Sequence, residues 1–185
     1  MNTKRIFIGS FTEANHLKSN FENIKNNFDK VSKIKWTRTL DNFHLTYYFI
    51  GETKINDIVK IQDFIQNEFP DKMNVELKIK GLSYFKRKSK PSVLFAKIEE
   101  NNPILESIYL KIRQFLIENN IIDEKLKSRF HPHITLGRIK KVEKSFYQKI
   151  EKYEGTFFDD IQTIKIDIIE SILSAEGALY KKLKI

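Results

Sequence analysis

The sequence predicts an α+β fold built from two similar halves within one domain that spans residues 1–185. Two matched histidine-containing segments, one in each half, are each followed by a helical pattern. Strand-like and helix-like segments alternate along the whole chain, and no linker or low-complexity stretch divides it. We therefore expect two mostly antiparallel sheets lining a central cleft, with the helices outside.

The first half contains the expected succession of strand, helix and strand. Apolar residues recur at steps of three and four between positions 15 and 33, which predicts one amphipathic helix. A β-branched and aromatic run then predicts the strand that carries the first histidine segment. The predicted elements are a strand at Arg5–Gly9, a helix at Asn15–Lys33, an extended segment at Trp36–Thr39 and a strand at Phe43–Ile50.

The middle and second half continue the same alternation of elements. A helix ends at Pro70, and the alternating segment from Val75 to Lys80 predicts a strand with one wet face. Asn102 and Pro103 suit the start of another helix. The remaining predictions are a basic loop at Ser83–Ser92, strands at Val93–Ile98 and Ile134–Ile139, a helix at Lys144–Tyr153, and strands at Ile164–Leu173 and Ala178–Leu183 that join around Glu176-Gly177.

Composition limits the chemistry that the chain can perform. It has no cysteine, which excludes thiol nucleophiles, disulfides and cysteine-based metal sites and fits a reducing cytoplasm. No stretch approaches the roughly 18 apolar residues of a membrane span, and the first residues predict a strand rather than a signal peptide. The net charge of +9 favours a polyanionic partner, although the same charge is typical of lysine-rich composition bias.

Two short segments repeat one pattern, His44-Leu45-Thr46 and His133-Ile134-Thr135. Residues i and i+2 of a strand point to the same face. Each segment therefore presents an imidazole beside a hydroxyl, while the middle residue points the other way. A single such triplet is common in proteins for purely structural reasons, but two copies in matched surroundings favour a function.

The paired triplets suit acid/base chemistry on a phosphodiester. One histidine can take a proton from water while the other protonates the leaving oxygen, since an imidazole serves either role near neutral pH. The hydroxyls of Thr46 and Thr135 can bind non-bridging oxygens, and Arg138 can add a bidentate contact. This scheme requires neither a metal nor a cofactor. Arg138 also fits an ordinary solvated or salt-bridged arginine.

Two other features allow both a functional and a structural interpretation. His131 and His133 form a His-x-His pair of the kind that binds metals, but Pro132 intervenes and no third ligand is near in the sequence, so His131 is predicted to lie in a turn or at the rim. The basic run Lys86–Lys90, with Tyr84 and Phe85 beside it, suits either a solvated loop over core aromatics or contact with RNA. His16 is predicted to be structural or exposed.

The motifs together resemble the 2H phosphoesterase superfamily, in the branch of RNA 2′,3′-cyclic phosphodiesterases, also called 2′-5′ RNA ligases. The segments that carry the resemblance are RIFIGSF, the block from Trp36 through HLTYYFIGE, GLSYFKRKSKPSVLFAKI, PHITLGRIKK and ESILSAEGALYKKL. They cover almost the whole chain. Tyr47-Tyr48 departs from the family pattern of leucine and a basic residue, a difference that concerns the substrate and leaves the histidines intact.

The resemblance implies a bilobal α+β fold and a role for each motif residue. His44 would be the proton donor to the departing 3′-oxygen, and His133 the proton acceptor that activates water. Thr46, Thr135 and Arg138 would bind the phosphate. The implied reaction opens an RNA 2′,3′-cyclic phosphate to a 2′-phosphomonoester without a metal, and some members also join RNA through a 2′-5′ linkage.

We therefore expect a cytoplasmic hydrolase, a monomer, whose partner is RNA that ends in a 2′,3′-cyclic phosphate, with no membrane partner. Two alternatives remain open from the sequence. One is a related enzyme that acts on a small cyclic nucleotide or a nucleotide-sugar cyclic phosphate. The other is an RNA-binding module without catalysis on the same scaffold.

Overall fold

The computed structural model describes residues 2–99, 102–126, 129–175 and 177–183. Within those ranges the chain forms four α-helices, one short 3₁₀ turn and nine strands. The strands are β1 Thr3–Phe11, β2 Ser32–Trp36, β3 His44–Lys54, β4 Met73–Arg87, β5 Lys90–Ile98, β6 His133–Val142, β7 Phe157–Ile164, β8 Asp167–Ser174 and β9 Gly177–Lys182. The helices are α1 Asn15–Asp29, α2 Ile55–Glu68, α3 Pro103–Glu118 and α4 Ser145–Lys152, with the 3₁₀ turn at Leu40–Asn42.

The strands form two antiparallel half-sheets that meet along the motif strands. The order is β7-β4-β5-β6-β3-β1-β8-β9, and β2 pairs with β6 beside the end of β3. Leu45 opposite Ile134 is the only residue pair through which β3 and β6 are joined among the described residues. The predicted pair of sheets is confirmed, and the contact between β3 and β6 joins the two into one continuous sheet.

The helices pack on the face of the sheet opposite the motif side chains, and they cross between the halves. α1, which follows β1, packs on β2 and β7, whereas α3, which follows β5, packs on β3. α2 covers β3 and β8. The apolar stripes predicted from the sequence supply the buried contacts: Leu17, Phe21, Ile24 and Phe28 of α1; Ile58, Ile61 and Ile65 of α2; Leu105, Ile108 and Ile112 of α3. Each motif strand is followed by a helix, as predicted.

The local predictions missed two of the strands, β2 and β7. α1 ends at Asp29, and Ser32–Trp36 is a strand, because the alternation of Lys33, Ile34 and Lys35 suits an edge strand paired to β6. The structure also contains β7 at Phe157–Ile164, a strand that the sequence prediction did not include.

The segment predicted as a basic loop is mostly strand. β4 continues to Arg87 and β5 begins at Lys90, so the turn consists of Lys88 and Ser89 alone. Both turn residues have positive φ, 48° and 65°, as a two-residue hairpin turn that follows the strand twist requires. The basic side chains therefore stand on a narrow hairpin tip. At the last hairpin, Glu176 lies outside the described residues.

None of the helices in the described ranges is long and apolar enough to cross a membrane.

Candidate active site

The register of β3 against β6 brings the two motifs together. Leu45 and Ile134 are directly opposite each other in an antiparallel pair, and both are fully buried. The residues on either side of this pair point to the other face of the sheet. Extending the register by one residue places His44 beside Thr135 and Thr46 beside His133. Each imidazole thus neighbours the hydroxyl of the other motif.

The two histidines lie diagonally across the β3–β6 seam. Diagonal neighbours of this kind are roughly 7–8 Å apart at the backbone, a separation that leaves room for a phosphate between the two rings. The positive charge of a protonated His133 lowers the pKa of His44, as expected for groups that share one cleft. The strand geometry therefore places an acid or base on each side of a common space.

Both imidazoles are held in the same way by the backbone two residues earlier. Nδ1 of His44 lies 2.6 Å from the carbonyl oxygen of Asn42, and Nδ1 of His133 lies 2.7 Å from that of His131. A carbonyl oxygen can only accept, so Nδ1–H donates in each case. Nε2 is therefore the atom of each ring that exchanges protons, and the hydrogen bond fixes the direction in which it points.

Aromatic rings surround each histidine. The rings of Phe7 and Tyr180 lie 4.9 and 4.5 Å from the His44 ring, between ring centres. Phe85 and Phe95 lie 4.8 and 5.1 Å from the ring of His133. These walls exclude water from most of each imidazole and hold its plane in position.

Burial sets the proton affinity of both rings. It lowers the pKa of His44 to about 4, with a smaller lowering from the charge of His133 and an opposing effect of the hydrogen bond to Asn42. Burial also lowers the pKa of His133; the nearby His131 adds to this, and the hydrogen bond to the His131 carbonyl opposes it. Both histidines are therefore predominantly neutral at pH 7 in the free protein.

The low pKa of His44 predicts a pH-dependent loss of stability. The folded pKa lies below the unfolded value of about 6.5, so the unfolded chain binds a proton first as the pH falls. This contribution is complete above pH 6.5 and lost as the pH falls to about 4. It amounts to at most ~3 kcal/mol, since water reaches part of the ring.

Urea unfolding between about pH 4 and pH 8 measures this loss. His44→Asn keeps a donor for the Asn42 carbonyl and removes the titrating group. We expect its free energy of unfolding to fall less steeply than that of the wild type as the pH drops below about 6.5. If the free energies of unfolding of the two proteins fell in parallel with pH, this would contradict a pKa of His44 that burial lowers.

A bulge brings Arg138 to the motif side of β6. Thr135 pairs with Phe95 and Gly137 pairs with Leu94, so Leu136 is an extra residue in β6. Beyond the bulge the alternation is reversed: Gly137 and Ile139 are buried, and Arg138 is exposed. Simple alternation from Thr135 would have placed Arg138 on the opposite face.

Gly137 is required by the close approach of β2. A Cβ at this position would lie 2.5 Å from Cγ2 of Ile34 and 3.0 Å from the carbonyl oxygen of Lys35. The missing side chain lets β2 pair with β6 beside the bulge. As a result Lys35 stands directly opposite Arg138.

A small cavity of about 60 Å³ lies at one end of the motif pair. It brings together three residues predicted from the sequence, His44, Thr135 and Arg138, and it places cationic side chains around them. Thr46 and His133 are not among its lining residues; they stand on the other side of the Leu45–Ile134 pair. The lining also includes Lys35, Arg38 and Tyr180. Larger depressions of about 490, 500 and 310 Å³ lie near α2, near β7 and at the start of α3, and they contain neither motif.

Three of these lining residues were missed by the sequence prediction. Lys35 and Arg38 lie on either side of Trp36. The sequence predicted a helix up to Lys33 and an extended segment at Trp36–Thr39, and it assigned a site role to neither residue. Lys35 donates to the carbonyl oxygen of Ala175 at 2.8 Å, and Arg38 donates to Ser174, so both hold the β8–β9 turn over the cavity. The basic alternation in Lys33-Ile34-Lys35-Trp36-Thr37-Arg38 was the available signal. Tyr180 reaches His44 only because this hairpin curls across the cleft, which no local pattern indicates.

The other residues that the sequence analysis considered for a function lie in different surroundings. His131 contributes its carbonyl to His133, and its ring lies 6.3 Å from that of His133 between centres. No group of three or more His, Cys, Asp or Glu side chains suited to a metal occurs in the part of the chain that the structure describes. Tyr84 packs on Phe146 beneath the sheet, whereas Phe85 faces the cleft, so the two aromatics of the basic segment have different surroundings. His16 is exposed in α1.

Residues 7–183 match the family model described as the AKAP7 2′5′ RNA ligase-like domain. The chain belongs to this family of 2H phosphoesterases. The likeness expected from the two motifs is thereby confirmed, and the family match covers nearly all of the described chain.

Three similar proteins match this chain over nearly all of its length. The RNA 2′,3′-cyclic phosphodiesterase of Aquifex aeolicus (strain VF5) is 27% identical over 181 residues, which cover 97% of this chain and 95% of that protein. The crystal structure of TT0787 of Thermus thermophilus superposes with a TM-score of 0.75 at 18% identity, over 97% of this chain and 95% of that one. E. coli LigT complexed with 3′-AMP gives a TM-score of 0.71 at 16% identity, over 99% and 97% of the two chains. These structural matches confirm the bilobal α+β fold.

Proposed function

We propose that this chain is an RNA 2′,3′-cyclic phosphodiesterase that opens the cyclic phosphate to a 2′-phosphomonoester. The observation that carries the proposal is the seam between β3 and β6, which sets two imidazoles diagonally across one cleft with a threonine beside each. The name of the Aquifex aeolicus relative supports the same substrate class. Both lobes contribute to the site, so residues 1–185 act as one catalytic domain in this proposal.

The proposed reaction is a single in-line displacement. Nε2 of His133 takes a proton from water, and the water oxygen forms a bond to phosphorus. The bond from phosphorus to the 3′-oxygen breaks, and Nε2–H of His44 gives its proton to that oxygen. The product carries a 2′-phosphate and a 3′-hydroxyl, and proton exchange with solvent restores both histidines.

The low pKa of His44 is compatible with its role as the acid. A bound phosphodiester places a negative charge near Nε2, and an opposite charge favours the protonated imidazole. The aromatic walls strengthen this interaction because they keep water away from the pair. Substrate binding therefore raises the pKa of His44 toward the working pH, while the free site remains neutral.

The remaining motif residues bind the phosphate in this proposal. Thr46 and Thr135 donate from their hydroxyls to the two non-bridging oxygens, one from each side of the seam. Arg138 adds a cation at the end where His44 acts, since both line the same cavity. These donors stabilise the negative charge that develops on phosphorus as the water oxygen bonds to it.

The same geometry supports the joining of RNA ends. If a 5′-hydroxyl replaces water, its oxygen bonds to phosphorus, the 3′-oxygen leaves, and the product is a 2′-5′ linkage. No additional group is required, because His133 takes the hydroxyl proton and His44 supplies the other. We include this activity in the proposal, with the protein acting as a monomer in the cytoplasm, a location that the absence of cysteine fits.

The direct test offers the protein a short oligoribonucleotide that ends in a 2′,3′-cyclic phosphate, with EDTA present. We expect ring opening at an undiminished rate and a product whose phosphate is on the 2′-oxygen, identified by its resistance to a 3′-specific phosphatase. No ring opening, or tight RNA binding without product, would overturn the proposal. Activity that EDTA abolishes and zinc restores would support a metal site at His131 and His133 instead.

A further inference from the structure

One half-sheet has a concentrated positive charge beside the seam, although its outer part, β7 and the start of β4, contains Glu76, Asp159 and Asp160. The three segments 32–36, 83–98 and 133–142, which form β2, the β4–β5 hairpin and β6, contain ten Lys or Arg residues and no Asp or Glu. We call the surface formed by the exposed cations of these segments the basic half-sheet. Its members are Lys33, Lys86, Arg87, Lys88, Lys90, Arg138, Lys140 and Lys141.

Cations face each other directly across the strands of the basic half-sheet. Lys33 is opposite Lys141 and Lys35 is opposite Arg138 in the β2–β6 pair, and Arg87 is opposite Lys90 in the hairpin. Like charges at directly opposed positions destabilise a sheet. The ion pairs found among the described residues include no member of the basic half-sheet. Among the described residues no ion pair therefore offsets this repulsion, and a bound polyanion would relieve it.

The strands β1, β8 and β9 of the opposite half carry a smaller net charge, with four Lys or Arg residues and two Asp or Glu residues, both of which are paired. Lys4 of β1 pairs with Glu170 of β8 at 2.9 Å, and Lys182 of β9 pairs with Asp167. These pairs lie on the strands that occupy the corresponding positions on the other side of the seam. Two halves with similar architecture therefore present different surfaces to a polyanion, and only one of them attracts it strongly.

The basic half-sheet is continuous with the candidate active site. Arg138 lines the cavity that contains His44 and Thr135, and Lys140 follows it on the same face of β6. In the neighbouring strands, Phe85 contacts the ring of His133, and the hairpin tip begins two residues later at Arg87. A chain held at its end between the histidines thus meets cations from the site outward to the hairpin tip.

We propose that the nucleotides preceding the cyclic phosphate lie along the basic half-sheet, and that this surface makes the enzyme prefer an RNA chain of several nucleotides to a mononucleotide. The inference rests on the proposed function, because it assumes that the cyclic phosphate binds between the histidines. The cations act through the phosphate backbone, so the preference concerns length and not sequence. The β1–β8–β9 half is left free of RNA.

A charge-matched pair of variants tests this inference. The hairpin variant carries Lys86→Gln, Arg87→Gln, Lys88→Gln and Lys90→Gln. The control variant removes four charges from the helical layer, through Lys25→Gln, Lys30→Gln, Lys149→Gln and Lys152→Gln. Each protein is assayed for kcat/KM with a cyclic-phosphate oligomer and with cytidine 2′,3′-cyclic phosphate, over a series of salt concentrations.

We expect the hairpin variant to lose about tenfold or more in kcat/KM on the oligomer at low salt, and the control variant to lose much less. The slope of log kcat/KM against log salt becomes shallower by about 0.7 for each phosphate contact removed. Turnover of the mononucleotide stays within about twofold in both variants. An equal loss in the two variants, or a wild type with no preference for the oligomer, would overturn the inference. If the wild type opens neither substrate, the proposed function fails instead.

Crosslinking locates the RNA independently of rates. A cyclic-phosphate oligomer with 4-thiouridine three or four nucleotides from its end is bound to His44→Ala protein and irradiated. We expect crosslinked peptides from the β4–β5 hairpin or β6. Crosslinks confined to β8 and β9 would show that the RNA leaves the site across the other half.

Discussion

Alanine in place of either motif histidine is expected to lower kcat for ring opening by about 10²–10⁴-fold, the usual contribution of a positioned general acid or base. Both His44 and His133 are held through Nδ1 by a backbone carbonyl, so each presents only Nε2 to the cleft. In the proposed reaction, their removal eliminates the two proton transfers and leaves the threonines in place. The matched control is His16→Ala, which removes an exposed histidine from α1 and should leave kcat unchanged.

The two roles can be separated with a substrate whose leaving group needs no proton. An aryl phosphodiester releases a nitrophenolate that is stable as an anion, so the general acid contributes little. We expect His44→Ala to retain most of the wild-type rate on this substrate, while His133→Ala remains slow because water must still be activated. The reverse result would exchange the two assignments, and an equal loss in both variants would contradict the division into donor and acceptor.

Leu45→Ala is expected to reduce both stability and kcat, because Leu45 stands at the seam between the half-sheets. Removal of a fully buried leucine side chain costs about 2–5 kcal/mol of stability. Leu45 also lies between His44 and Thr46 and opposite Ile134. Relaxation into the space left by the side chain therefore shifts one motif relative to the other, and a displacement of about 1 Å can cost up to 10²-fold in rate.

Leu116→Ala provides the matched control for this effect. Leu116 is also fully buried, but it lies in α3 beneath the sheet. Urea unfolding should show a similar loss of stability in the two variants. Under conditions in which both proteins remain folded, kcat at saturating substrate should fall for Leu45→Ala alone. Equal values of kcat would show that the seam does not control the relative position of the motifs.

Local patterns predicted the parts of the molecule that depend on local chemistry. The amphipathic helices and the motif strands follow from spacing and residue type, because burial of one face decides both. The side-by-side placement of His44 with Thr46, and of His133 with Thr135, needs only the alternation of a strand. The crossing of the helices between the halves could not be anticipated, since it depends on how distant segments pack.

The features missed at the site all depend on pairing between distant strands. The face on which Arg138 lies is set by a bulge at Leu136, and a bulge is a property of the register with β5. Lys35 reaches the site because β2 pairs with β6, and Tyr180 reaches it because the β8–β9 ribbon curls over His44. The sequence shows each of these residues only in its own segment, whereas their positions are decided by the partner strand.

The strand order also has a consequence for how the protein is made. β1, at the start of the chain, pairs with β8, and β2 pairs with β6, so both half-sheets contain strands from distant parts of the sequence. Closing such long loops costs entropy before the contacts repay it, and folds rich in distant pairings form slowly.

During synthesis, β3 emerges from the ribosome well before β6, and for that interval His44 lacks the neighbours that complete its surroundings. His133 must emerge before the seam at Leu45 and Ile134 can close. An unfinished chain therefore has no assembled pair of imidazoles, and under the proposed mechanism it is inactive. The two motifs come together late in synthesis, in the single step in which β6 pairs with β3.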